Sequence, residues 1–517
     1  MIATNVRRLA LYLLLAFAVV SAGLGWWQVI EAQALNGRIE NPQVIAARRS
    51  ALRGTIFDAN GQVLASSQVI DGIGRRTYAD AAFSHLIGYA SLRFGTTGVE
   101  RAYDDILTGR ADPNPLRDLV NDILARPTEP KDVTLTIDRR LQDFAAAQLG
   151  DAAGAIVAID PRSGAILALT STPTFDATPI SGVPADAGPA MEAITAREGN
   201  PLVDRARQGR YVPGSIMKVF TAAAALDTGT ITPQTTYPDQ PAQESAGFPV
   251  QGFTIREHDL GALQPALWPL SQALQVSSNI FFAHVGLELG AERFLDYARR
   301  FGFCQPRQIG SGVRGLPVSA SYVTSPVDGD CGPFSDDVEL ASAAFGQAQV
   351  NVTPVQMALL AATVANDGVL PDLHAVRDVR SHAADPAAGP SDQILERPGG
   401  AGGGRVISAT TAQQVRSAMV DAVEGELGRL YAGQGAVSLY GIGGTQTAGK
   451  TGTAQRGEGQ APHSWFIGFA PGQEGTAATI AVAVLVEGGG SGSGRAAPIA
   501  GQVMAEWLRL SASQAGG

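Results

Sequence analysis

Three short motifs stand along this 517-residue chain in an order that constrains it more than any other feature: Ser215-Ile216-Met217-Lys218, then Ser277-Ser278-Asn279, then Lys450-Thr451-Gly452-Thr453. Only three of the 38 basic residues are lysines; two of them, Lys218 and Lys450, lie inside these motifs, and the third is Lys131. Arginine keeps its proton in proteins, whereas a desolvated lysine can lose its proton and act as a base. A chain that draws its surface cations from arginine and reserves lysine for two motif positions is using the amine where a guanidinium would fail. The competing reading, accidental placement in a Gly-, Ala- and Arg-rich composition, would rarely put two of three lysines into ordered motifs.

Each motif is weak alone. On a helix Ser215 and Lys218 are i, i+3 neighbours, so the amine reaches the hydroxyl. A neutral Lys218 takes that proton as general base if burial and a neighbouring cation, with Lys450 as the candidate, bring its pKa from about 10.4 towards 7. Ser215, the candidate nucleophile, follows Tyr211-Val212-Pro213-Gly214 at a helix start, where backbone N–H groups are unpaired. Ser277-x-Asn279 before an apolar helix reads by itself as a helix cap. Within the set, Ser277 can relay a proton to a leaving amine or from an attacking one, and the Asn279 amide can hold a substrate amide. The Lys450-Thr451-Gly452-Thr453 segment follows the turn-like Gly441-Ile442-Gly443-Gly444 and reads as an edge strand, where Gly452 lets a ligand approach the backbone. Its cation and the hydroxyls of Thr451 and Thr453 suit a substrate carboxylate, and the Thr453 N–H can join the Ser215 N–H as an oxyanion hole. A phosphate loop does not fit the spacing of Gly444, Gly449 and Lys450. The six histidines, His284 and His463 among them, show no metal-ligand spacing and read as ordinary core or surface residues, and no GxSxG elbow occurs, so neither metal nor cofactor is expected.

The amino terminus carries Arg7 and Arg8, then an uncharged run from Leu9 to Gly25 and the pair Trp26-Trp27. Arginines before the span and tryptophans after it suit a membrane helix over residues 9–28, with residues 1–8 as a cytoplasmic stub and the rest of the chain outside the cytoplasm. A cleaved signal peptide, with Ser21-Ala22-Gly23 as its small residues, competes, though the apolar run exceeds the usual length. The only cysteines, Cys304 and Cys331, form either a disulfide or two packed thiols. A formal charge of -10 without basic runs excludes a nucleic-acid partner.

Residues 29–132 form a first unit, with a hairpin expected around Asp58-Ala59-Asn60-Gly61 and a helical stretch from Gly98 to Gly109. A second unit covers 133–512. It opens with an alternating strand at Val133–Ile137, continues with a hairpin at Ala155–Asp160 and Ala165–Leu169, and ends with strands at Trp465–Phe469 and Ala478–Val486 and a helix at Ala497–Leu510. Helices at Ser215–Leu226, Ile280–Leu289 and Thr353–Asn366 fill the middle, so the fold class is α+β with one sheet built from both ends. The Ala383–Gly404 stretch reads as a surface loop and Gly488–Gly494 as a flexible connection.

The ordered set SxxK, SxN, KTG resembles the penicilloyl serine transferases. The chain resembles class B penicillin-binding proteins within them, and the actinobacterial penicillin-binding protein A group in particular. That likeness rests on Arg53-Gly54-x-Ile56-x-Asp58-x-x-Gly61-x-x-Leu64-Ala65, Gly346-Gln347, Thr353-Pro354-x-Gln356-Met357-Ala358, Ala448 to Gln455 and Trp465-Phe466-x-Gly468-Phe469-Ala470-Pro471. Where the family often carries Pro-Pro-Gly-Ser-Thr-Phe-Lys, this chain has Val212-Pro213-Gly214-Ser215-Ile216-Met217-Lys218. The resemblance implies a serine β-lactamase/transpeptidase-like fold, an antiparallel sheet flanked by helices, above a small α/β pedestal and a single anchor in a bacterial cell membrane. It implies a peptidoglycan D,D-transpeptidase: Ser215 attacks D-Ala-D-Ala, an amine of a neighbouring stem peptide accepts the acyl group, and β-lactams trap the same serine. The first unit is too short for a glycosyltransferase domain, so glycan polymerisation is expected from a partner of the SEDS type.

A D-Ala-D-Ala carboxypeptidase shares every one of these residues and differs in accepting water. A β-lactamase needs a carboxylate to hydrolyse its acyl-enzyme; after Asn279 the nearest acids, Glu288, Glu292 and Asp296, recur every four residues as a solvated helix face. A non-catalytic envelope scaffold or β-lactam sensor is the reading from another class, and the intact serines, lysines and Asn279 argue against a dead site.

Overall fold

The structure, a computed structural model, describes residues 2–26, 52–70, 73–110, 129–182, 184–259, 263–398, 403–432, 444–457 and 459–515. Trp27, the Gly441-Ile442-Gly443 part of the turn-like run and the whole span 29–51 lie outside the described residues. Two compact units emerge, residues 1–52 with 67–75, and residues 53–66 with 76–517. In the first, a helix runs over Ile2–Gly25, and its 20-residue stretch Asn5–Leu24, of mean hydropathy 1.7, is exposed, long and apolar enough to cross a membrane.

The second unit is organised around a five-stranded antiparallel sheet. Its order is Ala448–Ala454, His463–Ala470, Ile480–Val486, Gly154–Ile159, Ile166–Thr172, so strands from the two ends of the sequence lie side by side, as expected. Successive side chains of a strand point to opposite faces, and both faces of the inner strands are covered, which is why Gly154–Ile159 and Ile480–Val486 are apolar throughout rather than alternating. Ala155, Val157, Trp465 and Ile467 enter one core, with the helix Pro354–Ala365, while Ile156, Ala158, Phe466 and Val482 enter the other, with the helices Arg139–Leu149 and Ala496–Ala515. Pro354–Ala365 is buried on every side, as a helix apolar all round must be. Thr353 caps it by accepting from the Gln356 N–H, and the Gln356 side chain donates to the Phe301 carbonyl, which gives the Thr-Pro-x-Gln run its structural meaning.

A second sheet forms the pedestal. The hairpin at Asp58–Gly61 forms, with Asp58 Oδ1 accepting from the Asn60 and Gln62 N–H groups. Ile56 pairs with Ala65 on one side and, in parallel, with Val133 on the other. Lys131–Leu135 then pairs with Val376–Ser381, which pairs with Ile394–Glu396. A boundary at residue 132 therefore passes through a strand, and the pedestal sheet draws strands from both sides of it. The same strand at Ile394–Glu396 shows that the Ala383–Gly404 stretch, of which residues 399–402 lie outside the described residues, is more than a loop.

Two further expectations change. Glu288 and Glu292 do not share one helix face, because the chain breaks at Gly290 into the helices Asn279–Leu289 and Ala291–Arg300, and Glu288 accepts from the Tyr237 hydroxyl. Gly488–Gly494 is not a free connection: the Gly490 N–H donates to the Pro462 carbonyl, and a Cβ on Gly492 would lie 2.6 Å from the carbonyl oxygens of Gly452 and Trp465. Cys304 and Cys331 are joined as a disulfide.

Candidate active site

Ser215, the candidate nucleophile, is delivered by a change of helix type. Gly214–Met217 forms a 3-10 turn that runs into the buried helix Lys218–Asp227, so Ser215 stays half-exposed at the turn while Lys218 begins the buried segment. Glycine is required just before the serine: Gly214 has φ +59°, and a Cβ there would sit 2.9 Å from the Thr453 carbonyl oxygen. That contact brings the Ser215 turn against the edge strand Ala448–Ala454, where a Cβ on Gly452 would in turn meet the Pro213 carbonyl at 2.8 Å. The indole N–H of Trp465, on the neighbouring strand, donates to the Val212 carbonyl at 3.0 Å and holds the approach to the turn.

Lys218 Nζ is the hub. It lies 3.0 Å from Ser215 Oγ, 3.2 Å from Ser277 Oγ, 2.8 Å from Asn279 Oδ1 and 2.5 Å from the Ser277 carbonyl oxygen. The two carbonyl oxygens can only accept, so they take the two hydrogens of a neutral amine and leave its lone pair for a serine hydroxyl. Burial drives Lys218 in that direction, from 10.5 to about 7, against the opposing pull of the Glu257 carboxylate. Near neutral pH the amine and the ammonium are then comparably populated, the condition for a general base.

Lys450 is also fully buried, and its amine donates to the Thr451 carbonyl at 3.0 Å. Burial and the charge of Lys218 both push Lys450 well below the ordinary lysine range. Two like charges disfavour each other, so Lys450 is the cationic neighbour expected for Lys218, and burial is the larger influence on both lysines. Thr451 is buried and Thr453 exposed, and Thr453 Oγ1 accepts from the Gly492 N–H at 3.2 Å, which leaves its own hydroxyl hydrogen available. Ser278, rather than Ser277, is the helix cap, accepting from the Phe281 N–H. Ser277 itself is left-handed, with φ +61°, so its carbonyl and its hydroxyl both turn to Lys218.

Motif spacing gives no sign of Glu257, which reaches the Asn279 N–H from 22 residues upstream, outside any local window. Nor does it reveal the cluster behind Ser215, in which Glu487 accepts from Arg205 and from the Tyr211 hydroxyl, with the Tyr211 ring edge-on to His463 and Trp465. Among the described residues, the one grouping with metal-ligand geometry is Cys304, Asp330 and Cys331, whose two sulfurs are bonded to each other.

A family model described as the penicillin binding protein transpeptidase domain matches residues 154–505, and one described as the penicillin binding protein A dimerisation domain matches residues 53–133. The chain belongs to the penicillin-binding protein transpeptidases. It is 32% identical to the peptidoglycan D,D-transpeptidase PbpA of Mycolicibacterium smegmatis, over 98% of this chain and 99% of that protein. With the PbpA of Mycobacterium tuberculosis it shares 32% identity, over 96% and 97%. Among solved structures, penicillin-binding protein A of M. tuberculosis as an imipenem acyl-enzyme complex matches with a TM-score of 0.74 at 31% identity, covering 90% of this chain and 100% of that one. Its penicillin G acyl-enzyme complex matches at 0.73 and 30%, covering 89% and 100%. The transpeptidase match spans all three motifs, from the Ser215 turn to the edge strand.

Proposed function

We propose that this chain is a membrane-anchored peptidoglycan D,D-transpeptidase that works through a Ser215 acyl-enzyme. Lys218 takes the Ser215 hydroxyl proton as Oγ attacks the carbonyl carbon of the penultimate D-alanine. The oxyanion is received by the backbone N–H groups of Ser215 and Thr453. The C–N bond to the terminal D-alanine breaks, and its nitrogen takes a proton relayed through Ser277. Asn279 and the edge strand at Thr451-Gly452-Thr453 hold the donor peptide. Its carboxylate lies by Lys450, and the incoming negative charge restores the proton that burial disfavours there. An amine of a second stem peptide then attacks the ester, gives up a proton to the same relay and releases Ser215. In a β-lactam the broken C–N bond leaves the amine tethered, so the ester persists.

The single observation that carries this reading is Lys218 Nζ at 3.0 Å from Ser215 Oγ, on a lysine brought to about 7 by burial. The acid whose charge acts on that lysine supports transfer over hydrolysis. Glu257 accepts from the Asn279 and Ile280 N–H groups and the Ser278 hydroxyl; burial would raise it, but the His258 pair, the Lys218 charge and the Asn279 N–H hold it at about 2, too weak a base to activate water. The helix Ile2–Gly25 supports a single-pass anchor with the catalytic domain outside the cytoplasm, and the resemblance supports a SEDS-type glycosyltransferase as partner.

The test is a fluorescent penicillin on the purified chain, with Ser215→Ala beside it, followed by label retention on a denaturing gel. A stable label lost in the variant is expected. A label that appears and disappears within seconds would favour a hydrolase, and no label on folded protein a scaffold.

A further inference from the structure

Asn279 is gripped from a segment outside every motif. Arg256 and Glu257 follow a short hairpin, Phe248–Val250 with Phe253–Ile255, that rests on the Asn279–Leu289 helix through the stack of Phe248 on His284. The Arg256 carbonyl accepts from Asn279 Nδ2 at 3.4 Å, and Glu257 Oε1 accepts from the Asn279 backbone N–H at 2.7 Å. Glu257 Oε2 accepts from the Ser278 hydroxyl at 2.7 Å and the Ile280 N–H at 3.2 Å. One buried carboxylate thus covers the unpaired donors at the start of the helix, where a negative charge is also favoured by the helix dipole.

We propose that Glu257 is a positioning residue for the acylation step, fixing the Ser277-Ser278-Asn279 turn so that three oxygens of Ser277 and Asn279 converge on Lys218 and holding a carboxylate directly behind Asn279, the residue that touches that lysine. The turn needs holding, because Ser277 is left-handed, a conformation a non-glycine residue keeps only when its surroundings impose it. With the Asn279 N–H tied to Glu257 and its side-chain N–H to Arg256, Asn279 Oδ1 is the atom left to face Lys218. Among the described residues, the charged groups around this pair are few. Lys218 meets Lys450 from the edge strand and Glu257 from the hairpin side, with the Phe282 ring 5.9 Å from its amine. Glu257 meets Lys218, its neighbour His258, and Glu244 from the helix Gln240–Ala246.

The inference rests on the acyl-enzyme reading, and its test separates the two. The rate of labelling by a fluorescent penicillin is measured across pH for the full chain, for Glu257→Gln and for Glu257→Asp, with a thermal melt of each. Because the Glu257 charge favours protonated Lys218, its removal lets the lysine become neutral at lower pH. The acidic limb of the Glu257→Gln profile is therefore expected to move to lower pH, with a plateau rate down about tenfold from the loosened turn. Glu257→Asp keeps the charge but retracts the oxygens, so its limb stays in place while its rate falls several-fold. A Glu257→Gln limb that does not move, as a purely structural role would give, overturns the proposal. If Glu257→Gln does not fold, Glu257→Asp decides, and a wild-type rate there overturns it. No label on the wild type would instead overturn the acyl-enzyme reading, and this proposal with it.

Discussion

The pedestal and the catalytic centre both bury charge, in opposite ways. In the pedestal, Glu100 is fully buried between two guanidiniums, Arg53 at 2.8 Å and Arg76 at 2.6 Å, and Arg53 also reaches Asp104 at 2.6 Å. Burial alone would raise the Glu100 pKa, but Arg76 and Arg53 outweigh it and hold the carboxyl below its usual range. In the catalytic centre, two lysines are equally buried, and among the described residues neither forms a salt bridge. Hydroxyls and carbonyls ring Lys218 and a carbonyl receives Lys450, so burial outweighs the Glu257 charge and the proton is loosely held. A buried charge with a counter-charge is a structural clamp, whereas a buried amine among neutral dipoles is a base.

Replacing the proposed base is the strongest way to sharpen that contrast. Lys218→Arg puts a permanent cation where a neutral amine is needed, and acylation by a fluorescent penicillin should fall by about 10²–10⁴-fold in a protein that still melts cooperatively. In the wild type the same rate should decline as pH falls through about 7, because the lowered lysine pKa places the reactive neutral form above that value. A rate independent of pH in this range would remove the base from Lys218.

The pedestal is tested by Glu100→Gln, which leaves Arg53 and Arg76 buried without their shared carboxylate. A loss of roughly 3–5 kcal/mol is expected in denaturant unfolding, with an unchanged acylation rate in the folded fraction. Slower acylation at unchanged stability would break the division between clamp and base. The disulfide offers a smaller perturbation away from the lysine pair. Its 27-residue separation predicts about 3.5 kcal/mol lost in the Cys304→Ala, Cys331→Ala double variant, read from unfolding curves, with the acidic limb of acylation unmoved.

Legibility followed the range of the interaction. The strands at either end of the transpeptidase unit could be read because residues buried on both faces form unbroken apolar runs, and the Thr353 cap because it bonds three residues ahead. Glu288 and Glu292 misled because their spacing matches one helix, while Gly290 divides them between two. The Gly488–Gly494 run looked free because its partners, Pro462 and Gly452, belong to other strands and loops. The strand at Val376–Ser381 joins the pedestal across some 240 residues of chain, and no local pattern encodes that pairing.

The sequence by itself determined the chemistry of this protein: a serine, two scarce lysines, a second serine, an asparagine and a threonine edge, in an order that names a reaction. Those identities are local properties of side chains, and they can be read one at a time. Only the tertiary structure decided how far each lysine holds its proton, that burial outweighs the neighbouring charges there, and that Glu257 stands behind Asn279. Proton affinity depends on solvent exclusion and on charges brought near by folding, and neither is a property of any stretch of sequence.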